Sequence, residues 1–69
     1  MSINVETQRE NDGRWIAEIP EIPGVTAYGK DAAEARRAVM ALALRVVADR
    51  IEHGEDIPAV FEAAFAPLA

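Results

Sequence analysis

The segment Pro20-Glu21-Ile22-Pro23-Gly24 restricts the possible folds of this chain more than any other segment. Each proline removes a backbone hydrogen-bond donor and restricts the residue before it, so the segment cannot continue a central strand. The chain must therefore bend here. After the bend, residues 25–28 predict a short strand that stops at Gly29.

Two further segments with strand periodicity precede the bend. Apolar and polar side chains alternate over residues 3–8 and again over residues 14–19, which is the period of a half-buried strand. Between them, Glu10-Asn11-Asp12-Gly13 supplies residues that accept positive φ, as a tight hairpin requires. We therefore predict a three-stranded antiparallel meander. Its structural residues are Trp15, Pro20, Pro23, Gly24 and Gly29.

A long helix is predicted to follow the meander. Asp31 and Glu34 have the spacing of a capping box with Asp31 as the structural cap, and Gly54 stands where a left-handed residue often ends a helix. One helix of about 22 residues lies between these signals. At about 100° per residue, one apolar stripe is expected to cover the sheet. This stripe consists of Ala35, Val39, Leu42 and Val46, flanked by Ala43.

A second apolar set lies on another face of the same helix and consists of Met40, Leu44, Val47 and Ile51. One sheet cannot easily cover both faces. A chain of 69 residues without cysteine also has a thin core and no disulfide to stabilise it. We therefore predict that this set is an interface in a homodimer or higher homo-oligomer. The alternative is a helix embedded more deeply under the C-terminal segment.

The last segment, residues 59–66, fits either a short helix or a strand. Phe61, Ala63 and Phe65 alternate with other side chains, and prolines stand on both sides at positions 58 and 67. This alternation favours a fourth strand. The predicted fold class is therefore α+β with the order β-β-β-α-β, in which the fourth strand packs on one long helix.

Charge is distributed unevenly along the chain, whose formal net charge is −5. Residues 31–53 contain four acids and four arginines, whereas residues 1–23 contain five acids and two arginines. Such a surface disfavours nucleic acid and favours a basic protein partner. The predicted partner-binding residues are Glu6, Glu18, Glu21 and Ile22.

No residue set indicates catalysis, a metal site or a cofactor. His53 has no cysteine nucleophile to assist, and its place in the last helical turn suits the helix dipole. The acids of the strands lack the spacing of metal ligands. The N-terminal residues do not form a signal peptide, and charged residues interrupt every apolar stretch. We therefore expect a soluble, cytoplasmic protein that is not an enzyme.

Residues 12–24, Asp-Gly-Arg-Trp-Ile-Ala-Glu-Ile-Pro-Glu-Ile-Pro-Gly, followed by Gly29 and by Glu34-Ala35 opening a helix, resemble the HicB family of antitoxins. The resemblance covers nearly the whole chain. It implies a fold similar to a truncated ribonuclease H fold without its catalytic acids. It also implies a partner, a small basic HicA-type toxin that cleaves mRNA and whose active site the antitoxin covers.

The sequence departs from that family in two respects. Asp31 replaces the Ser or Thr that many relatives carry at the helix cap, although aspartate serves the same capping chemistry. The chain also has no room for the DNA-binding module of longer relatives, so we expect no direct nucleic-acid binding. Two alternatives remain at this point. One is an orphan HicB-like interaction module, and the other is a transcriptional regulator without its own DNA-binding domain.

Overall fold

A computed structural model describes residues 2–68 and contains three strands and two helices. They are β1 (Glu6–Arg9), β2 (Trp15–Glu18), β3 (Thr26–Gly29), α1 (Ala32–Glu52) and α2 (Ala59–Ala64). The strands form one antiparallel sheet in the order β1-β2-β3, and α1 packs against all three. The predicted α+β class and the three-stranded meander are therefore confirmed.

The hairpin between β1 and β2 is closed by the residues that the sequence indicated. The Glu10 N–H donates to the Arg14 carbonyl at 2.7 Å, and the Gly13 N–H donates to the Glu10 carbonyl at 3.0 Å. Gly13 has a φ of 90°, a conformation that glycine adopts without steric cost. This turn sets the register in which Thr7 lies opposite Ala17.

The bend between β2 and β3 is made of two successive turns. The Ile22 N–H donates to the Ile19 carbonyl at 2.9 Å, and the Val25 N–H donates to the Ile22 carbonyl at 3.2 Å. Gly24 has a φ of 89°. β3 begins at Thr26, one residue later than predicted, and it includes Gly29.

Both ends of α1 use local hydrogen bonds. The Asp31 side chain accepts from the Glu34 N–H at 2.7 Å, which confirms Asp31 as the cap. The Glu34 carboxylate accepts from the Lys30 N–H at 3.0 Å, one residue before the position expected for a capping box. At the other end, the Gly54 and Glu55 N–H groups donate to carbonyls of the last turn, which is a Schellman motif.

The core lies between α1 and the sheet, and it is centred on a different helical stripe from the predicted one. Leu42 and Val46 are only half-buried, although they pack against the core. Val47 is 4% exposed, so its assignment to an oligomer interface is wrong. It belongs to the same buried cluster as Phe61 of α2, a residue that the sequence pattern placed in a fourth strand. The buried residues of α1 are Ala35, Val39, Ala43 and Val47.

The predicted fourth strand is wrong, because residues 59–64 form α2. The N–H groups of Phe61 and Glu62 donate to the Pro58 carbonyl at 2.9 and 3.1 Å. The Pro58 carbonyl thereby accepts the first hydrogen bonds of a helical turn. Proline can do this because it lacks only the backbone N–H and keeps its carbonyl. Phe61 is buried, whereas Phe65 at the end of α2 is 71% exposed.

Candidate functional site: an acidic sheet face

One face of the sheet is turned away from α1. Ala17 is fully buried beneath the helix, and its register partners Thr7 and Ala27 share that side. Neighbouring side chains in a strand point to opposite faces. The opposite side, which we call the open sheet face, is therefore formed by Glu6, Gln8, Ile16, Glu18, Thr26 and Tyr28.

Two carboxylates stand together at one end of the open sheet face. Glu6 of β1 lies directly opposite Glu18 of β2, and both are exposed. Within residues 2–68, neither takes part in an ion pair. Like charges directly opposite each other destabilise a sheet, so the isolated domain bears a cost that a cationic partner would relieve. A shallow, half-polar concavity of about 350 Å³ lies beside this pair.

Glu21 has an internal bonding role that the sequence did not indicate. Its Oε1 accepts hydrogen bonds from the Asn4 backbone N–H and from Asn4 Nδ2, both at 3.1 Å. Its Oε2 is buried and has no hydrogen-bond partner among the described residues. Glu21 thus ties the segment before β1 to the bend after β2, near the end of the sheet that carries Glu6 and Glu18.

Ile22 is not available to a partner. Its side chain is 0% exposed and belongs to the core. The two turns of the bend direct it inward, between two exposed prolines at positions 20 and 23. The prediction that Ile22 contacts a partner is therefore wrong, and its contribution is to packing.

An exposed aromatic residue lies at the other end of the open sheet face. Tyr28 is 47% exposed, and the Arg14 guanidinium lies over its ring at 4.4 Å from the centroid. Arg14 is itself paired with Asp12, with Nε and Oδ2 2.7 Å apart. The Arg14 backbone N–H, followed by its side chain, donates to the Asp12 carboxylate and holds the pKa of Asp12 below its ordinary value. Arg14 thus contacts both the Asp12 carboxylate and the Tyr28 ring.

Tyr28 and Ile16 are contact candidates that reasoning from the sequence missed. Tyrosine is enriched among residues that dominate binding energy. The half-buried Ile16 lies opposite Tyr28 in the register. Both occupy outward-facing positions in the alternation of the predicted strands, and that alternation was the signal that could have identified them.

His53, the remaining candidate for acid–base chemistry, bonds to its own helix. His53 Nδ1 lies 2.7 Å from the Asp49 carbonyl oxygen at the end of α1, an arrangement in which the ring donates to the helix. Among residues 2–68, no three potential metal-binding side chains form a group. Over the same residues, neither helix combines the length and the apolar character that crossing a membrane requires.

No protein-family model, curated protein or solved structure matches this chain. A functional assignment therefore depends on the residues themselves. The open sheet face combines two carboxylates, which form no ion pair among residues 2–68, with the exposed Tyr28 and the half-buried Ile16. That combination suits a surface that binds a basic protein, in which charge speeds encounter and apolar contacts hold the complex.

Proposed function

We propose that this chain is an antitoxin of a type II toxin-antitoxin system. It binds a HicA-type mRNA-cleaving toxin and occludes the active site of that toxin, without catalysis of its own. The observation that carries the proposal is the Glu6 and Glu18 pair, two exposed carboxylates opposite each other with no ion pair among the described residues. The resemblance of residues 12–24 to the HicB family supports the choice of partner.

The proposed inhibition follows from competition for positive charge. A protein that cleaves RNA must present cationic groups to phosphates. The carboxylates of the open sheet face would bind these groups and exclude RNA from them. Complementary charge also raises the association rate, which suits an inhibitor that must reach its target before the target reaches RNA.

Two further features belong to this proposal. The toxin's substrate is mRNA, so the antitoxin acts in the cytoplasm. The chain also acts as a homodimer or higher homo-oligomer, an assignment that the exposed side chains of Met40, Leu44 and Ile51 on α1 support.

The test measures inhibition of RNA cleavage by a purified HicA-type toxin. The wild-type chain should abolish cleavage at equimolar concentration, and the chain alone should cleave no RNA with or without Mg²⁺. The double variant Glu6→Lys/Glu18→Lys should associate with the toxin at least about tenfold more slowly, with a weaker dependence on salt. Glu21 stays unchanged because its bonds to Asn4 belong to the fold.

The matched control is Asp56→Lys/Glu62→Lys, which changes the net charge equally at exposed positions away from the sheet. It should inhibit the toxin like the wild type. Equal loss in both double variants would show that only total charge matters. Full inhibition by Glu6→Lys/Glu18→Lys would contradict the sheet-face proposal, and failure of the wild-type chain to inhibit any HicA-type toxin would contradict the function.

A further inference from the structure

An apolar stripe on α1 remains uncovered by the rest of the chain. Leu44 is 62% exposed, and Met40 and Ile51 are exposed as well. At about 100° per residue, these three side chains lie within about 40° of one another around the helix. Leu44 and Met40 also border an almost entirely apolar groove of about 130 Å³, which Ile3 and Phe61 close on the far side. We call Met40, Leu44 and Ile51 the α1 stripe.

The surface area of the chain points to a second copy as the occupant. A compact monomer of 7.5 kDa has an accessible surface of roughly 4,250 Å². The observed area is 5034 Å², about 800 Å² more, which is close to the area that each partner buries in a standard interface. The radius of gyration is 13.6 Å, whereas a compact chain of this length has about 11 Å. Exposed residues after α2 and the uncovered α1 stripe both contribute to this excess area.

The charged residues beside the α1 stripe can pair with those of a second copy when the two helices are antiparallel. Arg37 lies near the start of α1 and Glu52 is its last residue, both on the same flank of the stripe. Both are exposed, and within residues 2–68 neither takes part in an ion pair. Two antiparallel copies of α1 bring the start of one helix beside the end of the other. Each Arg37 then lies beside Glu52 of the partner subunit.

We propose that two copies of this chain pack α1 against α1 in antiparallel orientation, about a two-fold axis that passes close to Leu44. In this arrangement Leu44 meets Leu44 of the partner subunit. Met40 lies opposite Ala48 of the partner subunit, so a large side chain faces a small one and the helices can approach closely. The interface is isologous, with the α1 stripe at its centre and the two Arg37–Glu52 pairs at its rim. The inference specifies the self-association proposed above.

The first test uses the absence of cysteine from the chain, so that a single introduced thiol can be followed. Residues on a two-fold axis face their own copies, and Leu44→Cys should therefore form an intermolecular disulfide under mild oxidation. Gln8→Cys, on the open sheet face, is the matched control and should remain uncrosslinked. Light scattering on the wild type should give twice the chain mass of 7.5 kDa. A monomer at 100 μM, or a dimer in which Gln8→Cys crosslinks and Leu44→Cys does not, would overturn the proposal.

The second test exchanges the charges at the rim. Arg37→Glu and Glu52→Arg should each weaken the dimer by about tenfold, because each change affects two symmetric pairs. The double variant Arg37→Glu/Glu52→Arg should restore the wild-type affinity. Additive weakening in the double variant would exclude the antiparallel pairing. Since neither test requires a toxin, a negative result here leaves the antitoxin proposal to be decided by RNA cleavage.

Discussion

Glycine meets two different requirements near the two ends of β3. Gly24 has a φ of 89°, and a Cβ placed there would meet nothing within 4 Å, so only its backbone conformation excludes larger residues. Gly29 has no positive φ, but a Cβ on it would lie 2.9 Å from the Glu34 carbonyl carbon. Because Gly29 has only a hydrogen in place of a side chain, α1 can begin in direct contact with β3.

These two requirements predict different substitution patterns. Gly29→Ala should lower the free energy of unfolding by about 1–3 kcal/mol, because backbone atoms must shift to admit the methyl group. Gly24→Val should cost about 1–3 kcal/mol through backbone strain. Asparagine tolerates positive φ, so Gly24→Asn should cost less than Gly24→Val, whereas Gly29→Asn should cost more than Gly29→Ala. Urea denaturation of these four variants measures their free energies of unfolding. An asparagine variant that is the milder one at both positions would contradict the prediction.

Asp12 gives the hairpin a dependence on pH. Hydrogen bonds from Arg14 lower the pKa of Asp12 below its ordinary value of 3.8. A lowered pKa in the folded state contributes stability above the unfolded value, and this contribution is lost as the pH falls through the folded value. The wild type should therefore lose more thermal stability than Asp12→Asn between about pH 4 and pH 2. Parallel melting curves of the two proteins across that range would exclude this role.

The pairing of β1 with β2 places two carboxylates opposite each other, and the same two carboxylates belong to the proposed binding surface. Glu6→Lys converts a repulsive cross-strand pair with Glu18 into an attractive one. The variant should gain about 0.5 kcal/mol in the free energy of unfolding. It should also associate more slowly with a basic toxin.

Gln8→Lys is the control for this prediction, since it adds a cation to the same strand opposite Ile16 and not opposite an acid. It should gain no stability. Chemical denaturation and association kinetics together provide the measurement. A Glu6→Lys protein that is less stable than the wild type would show that the two carboxylates do not repel each other in the folded state.

Phe61 is the buried anchor of α2, and the half-buried Val60 packs against the core beside it. Phe61 is buried in the core cluster, whereas Phe65 is largely exposed. Phe61→Ala should therefore cost about 3 kcal/mol or more, and Phe65→Ala less than about 0.5 kcal/mol. Thermal or chemical denaturation distinguishes these values. Comparable losses in the two variants would indicate that Phe65 is also packed in solution, for example against a second copy.

In the proposed dimer the two α1 helices meet along the α1 stripe, which lies roughly 100° around the helix from its buried residues. α1 packs on the sheet face opposite Glu6 and Glu18, so the open sheet face takes no part in that contact. Each open sheet face remains accessible to a partner of its own.

A stoichiometry follows from this arrangement. The complex with a HicA-type toxin should contain two antitoxin and two toxin chains, since the two sheet faces neither overlap nor share a site. Native mass spectrometry measures the composition directly. Leu44→Asp should convert this complex to one chain of each kind while leaving inhibition intact, because the α1 stripe and the open sheet face are separate surfaces. One toxin per antitoxin dimer, or loss of inhibition on dissociation, would contradict this.

Features that depend on neighbouring residues were predictable from the sequence by itself. The hairpin needs only the positive φ of Gly13 and hydrogen bonds over a few residues. The start of α1 depends on Asp31 three residues before its hydrogen-bond donor, and its end depends on Gly54. The alternation in β1 and β2 likewise identified the face that carries Glu6 and Glu18. In each case the energetic preference lies within one turn or one strand.

Other features were decided only by contacts between residues distant in sequence. Residues 59–64 fit both periodicities, and they form a helix in which Phe61 enters the core. Val47 stands at the boundary of two helical stripes, and it is buried in the same cluster as Phe61. Glu21 bonds to Asn4, 17 residues away. A side chain at such a boundary takes the environment that the rest of the fold supplies, and no local pattern encodes that environment.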